Sequence, residues 1–122
     1  MLLGSFYNIT ESSREGQTFR VKVAFNAAHE IFKGHFPDLP VVPGVCQTQM
    51  LIETLSHVLA RPVEMKLAHH IKFLALLNPV KTKDIDLEIK IDKEEGDHFW
   101  VSAIYSSPVE TYFRFKGEFI NG

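Results

Sequence analysis

Apolar and polar positions alternate along three stretches in the last third of the chain. Ile85, Leu87, Ile89 and Ile91 interleave with Asp84, Asp86, Glu88 and Lys90; Phe99, Val101, Ala103 and Tyr105 repeat the pattern, as do Phe113, Phe115, Gly117 and Phe119. A period of two sends successive side chains to opposite faces, so each stretch predicts a half-buried antiparallel strand. The links Lys93-Glu94-Glu95-Gly96-Asp97 and Ser106-Ser107-Pro108 have turn composition. Near the start, Phe6 to Ile9 and Phe19 to Phe25 alternate or nearly so, and the polar stretch Glu11 to Gln17 reads as the hairpin connection between two strands.

The middle behaves differently. Ala27 to Gly44 contains Pro37, Pro40 and Pro43, each lacking a backbone donor and each biasing its predecessor away from helix, which predicts an ordered loop. From Gly44 to about Ala60, Val45, Ile52, Leu55, Val58 and Leu59 recur without an internal proline or glycine, the pattern of a helix with more than one buried stripe, ended by Arg61-Pro62. Met65 to Phe73 fits helix or strand and is taken as a strand, with a turn at Asn78-Pro79. One helix, apolar on several sides, among five or six strands with one apolar face each calls for a sheet that curls around the helix. The expected class is α+β, an antiparallel sheet wrapped around one long central helix.

Length sharpens this picture. At 122 residues and 45% hydrophobic content the chain is expected to form a single domain, residues 1–122. Ten Phe are more large apolar groups than one small core hides, so association into oligomers is expected. The formal charge is −2 with basic and acidic residues interleaved, which argues against nucleic acid or an anionic membrane as partner. The single cysteine, Cys46, cannot form an internal disulfide, and Met1 to Ser5 lack a basic leader and a long apolar run; a cytoplasmic protein is expected. Asn8-Ile9-Thr10 matches the glycosylation sequon and is set aside as a chance match in a strand.

The candidate chemistry lies in Phe32-Lys33-Gly34-His35-Phe36-Pro37-Asp38-Leu39-Pro40-Val41-Val42-Pro43-Gly44-Val45. Three prolines stiffen the segment, which lets a histidine at its start be held in one orientation at small entropic cost on binding. Gly34 permits unusual dihedrals beside His35, and Gly44 permits close approach where the helix begins. A helix start presents backbone N–H groups, here of Gly44, Val45 and Cys46, which can polarise a carbonyl oxygen.

This segment resembles the signature of the bacterial 3-hydroxyacyl-[acyl-carrier-protein] dehydratases of the FabZ and FabA type, roughly Gly-His-Phe-Pro-x-x-Pro-Val-x-Pro-Gly. Ile71 to Leu74, Asn78-Pro79-Val80 and the terminal strands also fall where that family has its later strands. The resemblance implies a hotdog fold, a homodimer or larger homo-oligomer with acyl tunnels at the subunit interface, and no metal or organic cofactor. It implies that His35 removes a proton from C2 of a 3-hydroxyacyl thioester borne on the phosphopantetheine of acyl carrier protein. Backbone amides of Gly44 and Val45 would hold the thioester carbonyl, and the backbone carbonyl of Val41 would orient the imidazole.

One position departs from the pattern. The family has Glu or Asp fourteen residues after the histidine, where this chain has Gln49. An amide hydrogen-bonds a hydroxyl but has no proton to give near neutral pH. Glu53, one turn on, would be displaced by about 6 Å along the axis and is expected to be solvated or paired with a partner subunit. Either His35 or water returns the proton while Gln49 orients the hydroxyl, or dehydration is absent. Two readings follow: a dehydratase-type lyase serving fatty-acid, polyene or polyketide synthesis, and a non-dehydrating acyl-thioester-binding or thioesterase-like hotdog protein. His69 and His70, adjacent on a strand, point to opposite faces and are read as structural. His29, His57 and His98 are assigned no role, and Cys46 is read as a packed small side chain.

Overall fold

The computed structural model describes residues 1–34 and 39–122; His35, Phe36, Pro37 and Asp38 lie outside the described residues. The elements run β1 (Tyr7–Glu15), β2 (Thr18–Phe25), α1 (Glu30–Gly34), α2 (Gly44–Leu59), β3 (Val63–Phe73), β4 (Asp84–Glu95), β5 (His98–Ser107) and β6 (Glu110–Asn121). The strands form one antiparallel sheet in the order β1-β2-β4-β5-β6-β3. Helix α2 lies against the face that carries the apolar half of each alternating strand.

Register explains how that face is assembled. Val21 pairs with Leu87, Leu87 with Tyr105, Tyr105 with Phe113 and Phe113 with Phe73, so one row of apolar side chains crosses five strands. A second row runs Phe19, Ile89, Ala103, Phe115 and Ile71. Both rows are buried as far as β6 and emerge at β3, where Ile71 and Phe73 are exposed. The outward edge of β3 has no strand beside it among the described residues, and Leu67, Leu74 and Leu76 are exposed near it.

Gly117 interrupts the aromatic stripe of β6 for a steric reason. A Cβ there would stand 2.5 Å from the backbone oxygen of Leu67 and 2.5 Å from the Phe115 ring. The site lies between two register shifts on β3, at Met65/Leu67 and Ala68/His70, where the strand bulges toward β6.

The helix meets the sheet through Cys46, Met50, Leu51, Thr54 and Leu55, all buried. From β5 the buried Tyr105 hydroxyl donates to the Gln47 carbonyl at 2.8 Å, and from β3 the Val63 N–H donates to the Ser56 hydroxyl at 3.2 Å. At its C-terminus Ala60 adopts a left-handed conformation, φ 54° and ψ 36°, which lets its N–H and that of Arg61 reach the carbonyls of His57 and Ser56.

Three details of the sequence reading change, the first being the expected link Lys93 to Asp97, where β4 runs on to Glu95 and only Gly96-Asp97 turns. The expected connection Glu11 to Gln17 is mostly strand: β1 continues to Glu15 and only Gly16-Gln17 turns, with Gly16 at φ 60°. The polar residues Glu11 to Glu15 sit on the outermost strand, where solvated side chains are the norm and an apolar face is not required. The loop expected from Ala27 to Gly44 contains the short helix α1, whose Ile31 and Phe32 pack on the core, with Phe32 stacked on Phe6 at 4.9 Å.

Candidate active site

The site grows from the start of α2. Pro43 precedes the helix and cannot donate a hydrogen bond, and the first turn carries no acidic side chain. The N–H groups of Cys46 and Gln47 both donate to the Pro43 carbonyl, at 3.0 and 3.1 Å. Cys46 N–H is therefore occupied, and the amides of Gly44 and Val45 are the ones that the helix itself leaves over. A Cβ on Gly44 would lie 2.8 Å from the Phe73 ring, so that exposed ring would have to shift to admit one. The Val45 side chain is exposed.

The segment before the helix is pinned on both sides. Val42 N–H donates to the Leu77 carbonyl at 2.8 Å, and the Val42 carbonyl accepts from the side-chain amide of buried Gln47 at 3.1 Å. Val41 is buried, and no other described residue hydrogen-bonds its carbonyl. His35, the expected base, lies outside the described residues.

Gln49 is exposed on α2, about 7.5 Å along the axis from Gly44. Its Nε2 donates to Oε2 of Glu53 at 2.9 Å. Glu53 is buried, 6% exposed, and not solvated, and it makes no ion pair among the described residues. Its carboxylate accepts from Leu2 N–H (3.1 Å to Oε1, 2.9 Å to Oε2), Leu3 N–H (2.7 Å) and the Tyr7 hydroxyl (3.3 Å). Burial by itself would raise the Glu53 pKa, but the hydrogen bonds from Leu2, Gln49, Leu3 and Tyr7 outweigh it and hold the carboxyl below the ordinary range. Burial pushes the Tyr7 hydroxyl and the Cys46 thiol up, with the Glu53 charge adding to both. Cys46 is a packed thiol, as read from the sequence, with its thiolate disfavoured.

Two cavities meet at this cluster. One, about 650 Å³, runs along α2 past Met1, Leu3, Gln49, Ile52, Ser56 and Arg61. The other, about 290 Å³, lies toward the helix start against Leu2, Val45, Cys46 and Gln49. Met1, Gln49 and Glu53 line both.

Sequence reasoning missed two groups. Besides Gln49 one turn away, Glu53 receives donors from Leu2, Leu3 and Tyr7, 46 to 51 positions distant, and no local pattern signals those. On the other sheet face, Glu118 bridges His69 on β3 and His98 on β5, accepting at Oε2 and, at 2.8 Å, at Oε1. These bonds hold the Glu118 carboxyl low against the opposing effect of desolvation. A groove of about 540 Å³ on this face is lined by His70, Lys72, Arg114 and Lys116. Lys72, Arg114 and Lys116 make no ion pair among the described residues.

The family model of the ApeI-like proteins, described as ApeI dehydratase, matches residues 11–108. The chain belongs to that family. A curated relative, the 3-hydroxyacyl-[acyl-carrier-protein] dehydratase FabZ of Fusobacterium nucleatum subsp. nucleatum, is 30% identical over 92 residues. That match covers 70% of this chain and 62% of the relative, so it spans less than two thirds of the relative's length.

Among solved structures, the dehydratase heterocomplex ApeI:P of Xenorhabdus doucetiae superposes with a TM-score of 0.77 at 20% identity, over 93% of this chain and 96% of that one. The PaaI protein of the E. coli phenylacetic acid degradation operon gives 0.67 at 11% identity, over 95% and 79%. PA5202 of Pseudomonas aeruginosa gives 0.68 at 11%, over 95% and 88%. At these identities the structures speak to the fold, which is the hotdog fold, a six-stranded antiparallel sheet with its long helix. The chain is a hotdog protein of the dehydratase family.

Proposed function

We propose that the 122 residues act as one hotdog domain and dehydrate 3-hydroxyacyl thioesters carried on the phosphopantetheine of acyl carrier protein, in fatty-acid, polyene or polyketide synthesis. The observation that carries this reading is the placement of Gln49. Fourteen residues after His35, it lines a cavity that also touches Val45 and Cys46 at the start of α2, in a chain of the dehydratase family.

The thioester carbonyl is held by the Gly44 and Val45 N–H groups, which makes the C2 proton acidic by stabilising the enolate oxygen. His35, oriented by the Val41 carbonyl, takes the C2 proton. The C3–O bond then breaks as the C2–C3 double bond forms, and the departing hydroxyl takes a proton from the imidazolium of His35 and leaves as water. Gln49 orients that hydroxyl. Glu53 does not supply the proton, since its donors favour the ionised form.

The groove lined by Lys72, Arg114 and Lys116 supports a partner with an anionic surface or phosphodiester. The open edge of β3 with exposed Leu67, Ile71 and Phe73 supports pairing with a second copy as a homodimer. Cys46 as a free buried thiol is in keeping with the cytoplasm.

The test is incubation of the pure protein with 3-hydroxyacyl carrier protein and detection of the 2-enoyl thioester and its hydration equilibrium. Product is expected, with His35→Ala lowering the rate about 10²–10⁴-fold at unchanged thermal stability. No product, together with binding of the acyl thioester or its hydrolysis, establishes the second reading, a non-dehydrating binding or thioesterase-like hotdog protein, which the amide at position 49 favours.

A further inference from the structure

We propose that Glu53 is the positioning residue of this site, and that through it the first three residues of the chain form a hook that sets the orientation of Gln49. The proposal rests on the acyl-thioester site described above and adds a component to it.

The Glu53 carboxylate is fully engaged. Four donors, Leu2 N–H, Leu3 N–H, the Tyr7 hydroxyl and Gln49 Nε2, supply five hydrogen bonds to two oxygens. A carboxylate offers about four lone-pair directions, so none is left for a substrate. Glu53 therefore acts through the groups it holds.

Of these, Gln49 alone is both exposed and placed where the two cavities meet. An ionised carboxylate only accepts, so it is the nitrogen end of the Gln49 amide that faces Glu53. The oxygen end is turned away from Glu53, free to accept from a hydroxyl. Without Glu53 nothing described fixes which end of the amide faces the cavity, and its rotamers become free.

The hook follows from the same bonds. Leu2 and Leu3 donate backbone N–H groups, which no side-chain substitution other than proline removes. A carboxylate that accepts from Leu2 and Gln49 at the same Oε2, and from Leu3 at Oε1, couples the position of residues 2 and 3 to the amide at the cavity junction. Met1 lies along both cavities as a consequence.

The experiment is a double-variant cycle read on kcat and KM with 3-hydroxyacyl carrier protein, alongside NMR of the Gln49 side-chain amide and of Leu2 and Leu3 amide exchange. Glu53→Gln is expected to lower kcat roughly 10- to 100-fold with KM little changed, the scale of a misplaced reacting group. Gln49→Ala is expected to lower kcat similarly, and the combined variant no further than Gln49→Ala alone. Multiplicative losses overturn the proposal.

If the wild-type protein forms no enoyl product, the dehydration reading fails on its own and the hook is judged by NMR and by binding of an acyl-pantetheine amide. Shifted Gln49 amide signals, faster Leu2 and Leu3 exchange and weaker binding in Glu53→Gln uphold it; unchanged signals and affinity overturn it. Should Glu53→Gln not fold, a chain beginning at Gly4 removes two donors and is expected to change the Gln49 signals. Identical signals in that chain overturn the proposal equally.

Discussion

The side-chain amide of Gln49 donates to the carboxylate of Glu53 across one turn of α2, at 2.9 Å. An amide stands where the dehydratases of this resemblance carry an acid, and the ionised group beside it is committed to other donors. This pair governs what substitutions at either position do.

Gln49→Glu places two carboxyl groups at hydrogen-bond distance. Glu53 keeps its backbone and Tyr7 donors and stays ionised, so the shared proton resides at position 49, whose pKa rises above the ordinary carboxylate value. A protonated acid at the cavity is expected to increase dehydration. Activity should be greatest below the raised pKa and decline as pH rises through it, which a kcat–pH profile of the variant measures against a wild type lacking that limb.

Acid stability follows from the direction of the Glu53 shift. Its folded-state pKa is depressed, so its contribution to stability is complete above the unfolded value, roughly 4.3, and is lost as pH falls through the folded value. Wild type should therefore lose stability below about pH 4.5 more steeply than Glu53→Gln. Urea midpoints of the two proteins, compared at neutral pH and near pH 3, should converge on acidification. A constant difference would show that the carboxylate charge is not what the donors stabilise.

Gly117→Ala tests the close approach between β3 and β6. The added methyl meets a backbone oxygen that cannot rotate away, so about 1–3 kcal/mol of destabilisation is expected, as for other overpacked interior sites. Thermal denaturation reads it directly, and an unchanged midpoint would mean that the bulged segment of β3 yields freely.

Tyr105→Phe removes the single hydroxyl that ties β5 to the helix while keeping the ring against Phe113. The Gln47 carbonyl lies in the helix and has an intrahelical partner available, so the loss should be about 1 kcal/mol rather than a full desolvation penalty. Denaturant unfolding should show it with the slope unchanged.

Much of the fold was legible because burial is one-sided. The alternation in β4, β5 and β6 and the several apolar stripes of α2 leave few ways to bury all of it, and the strands formed where the pattern placed them. The ambiguous Met65 to Phe73 stretch is strand β3, with most of it exposed, which is why its periodicity was weak. The end of β1 was illegible because a polar outer strand has no apolar period to read. The start of α2 at Gly44 was legible from the loop motif. The environment of Glu53 was not, since three of its four donors, Leu2, Leu3 and Tyr7, converge on it through tertiary structure, and neither was the His69–Glu118–His98 bridge, whose members are brought together across three strands next to a bulge.

The two bulges in β3 have a consequence for which neighbours this protein accepts. A regular bare edge would template indefinite strand addition, ending in fibrils. A strand bent and overtwisted at Met65/Leu67 and again at Ala68/His70, with exposed Lys66 and Lys72 along it, offers only a short flat run for docking. A neighbour must match that curvature, so the two bulges narrow what this edge can accept.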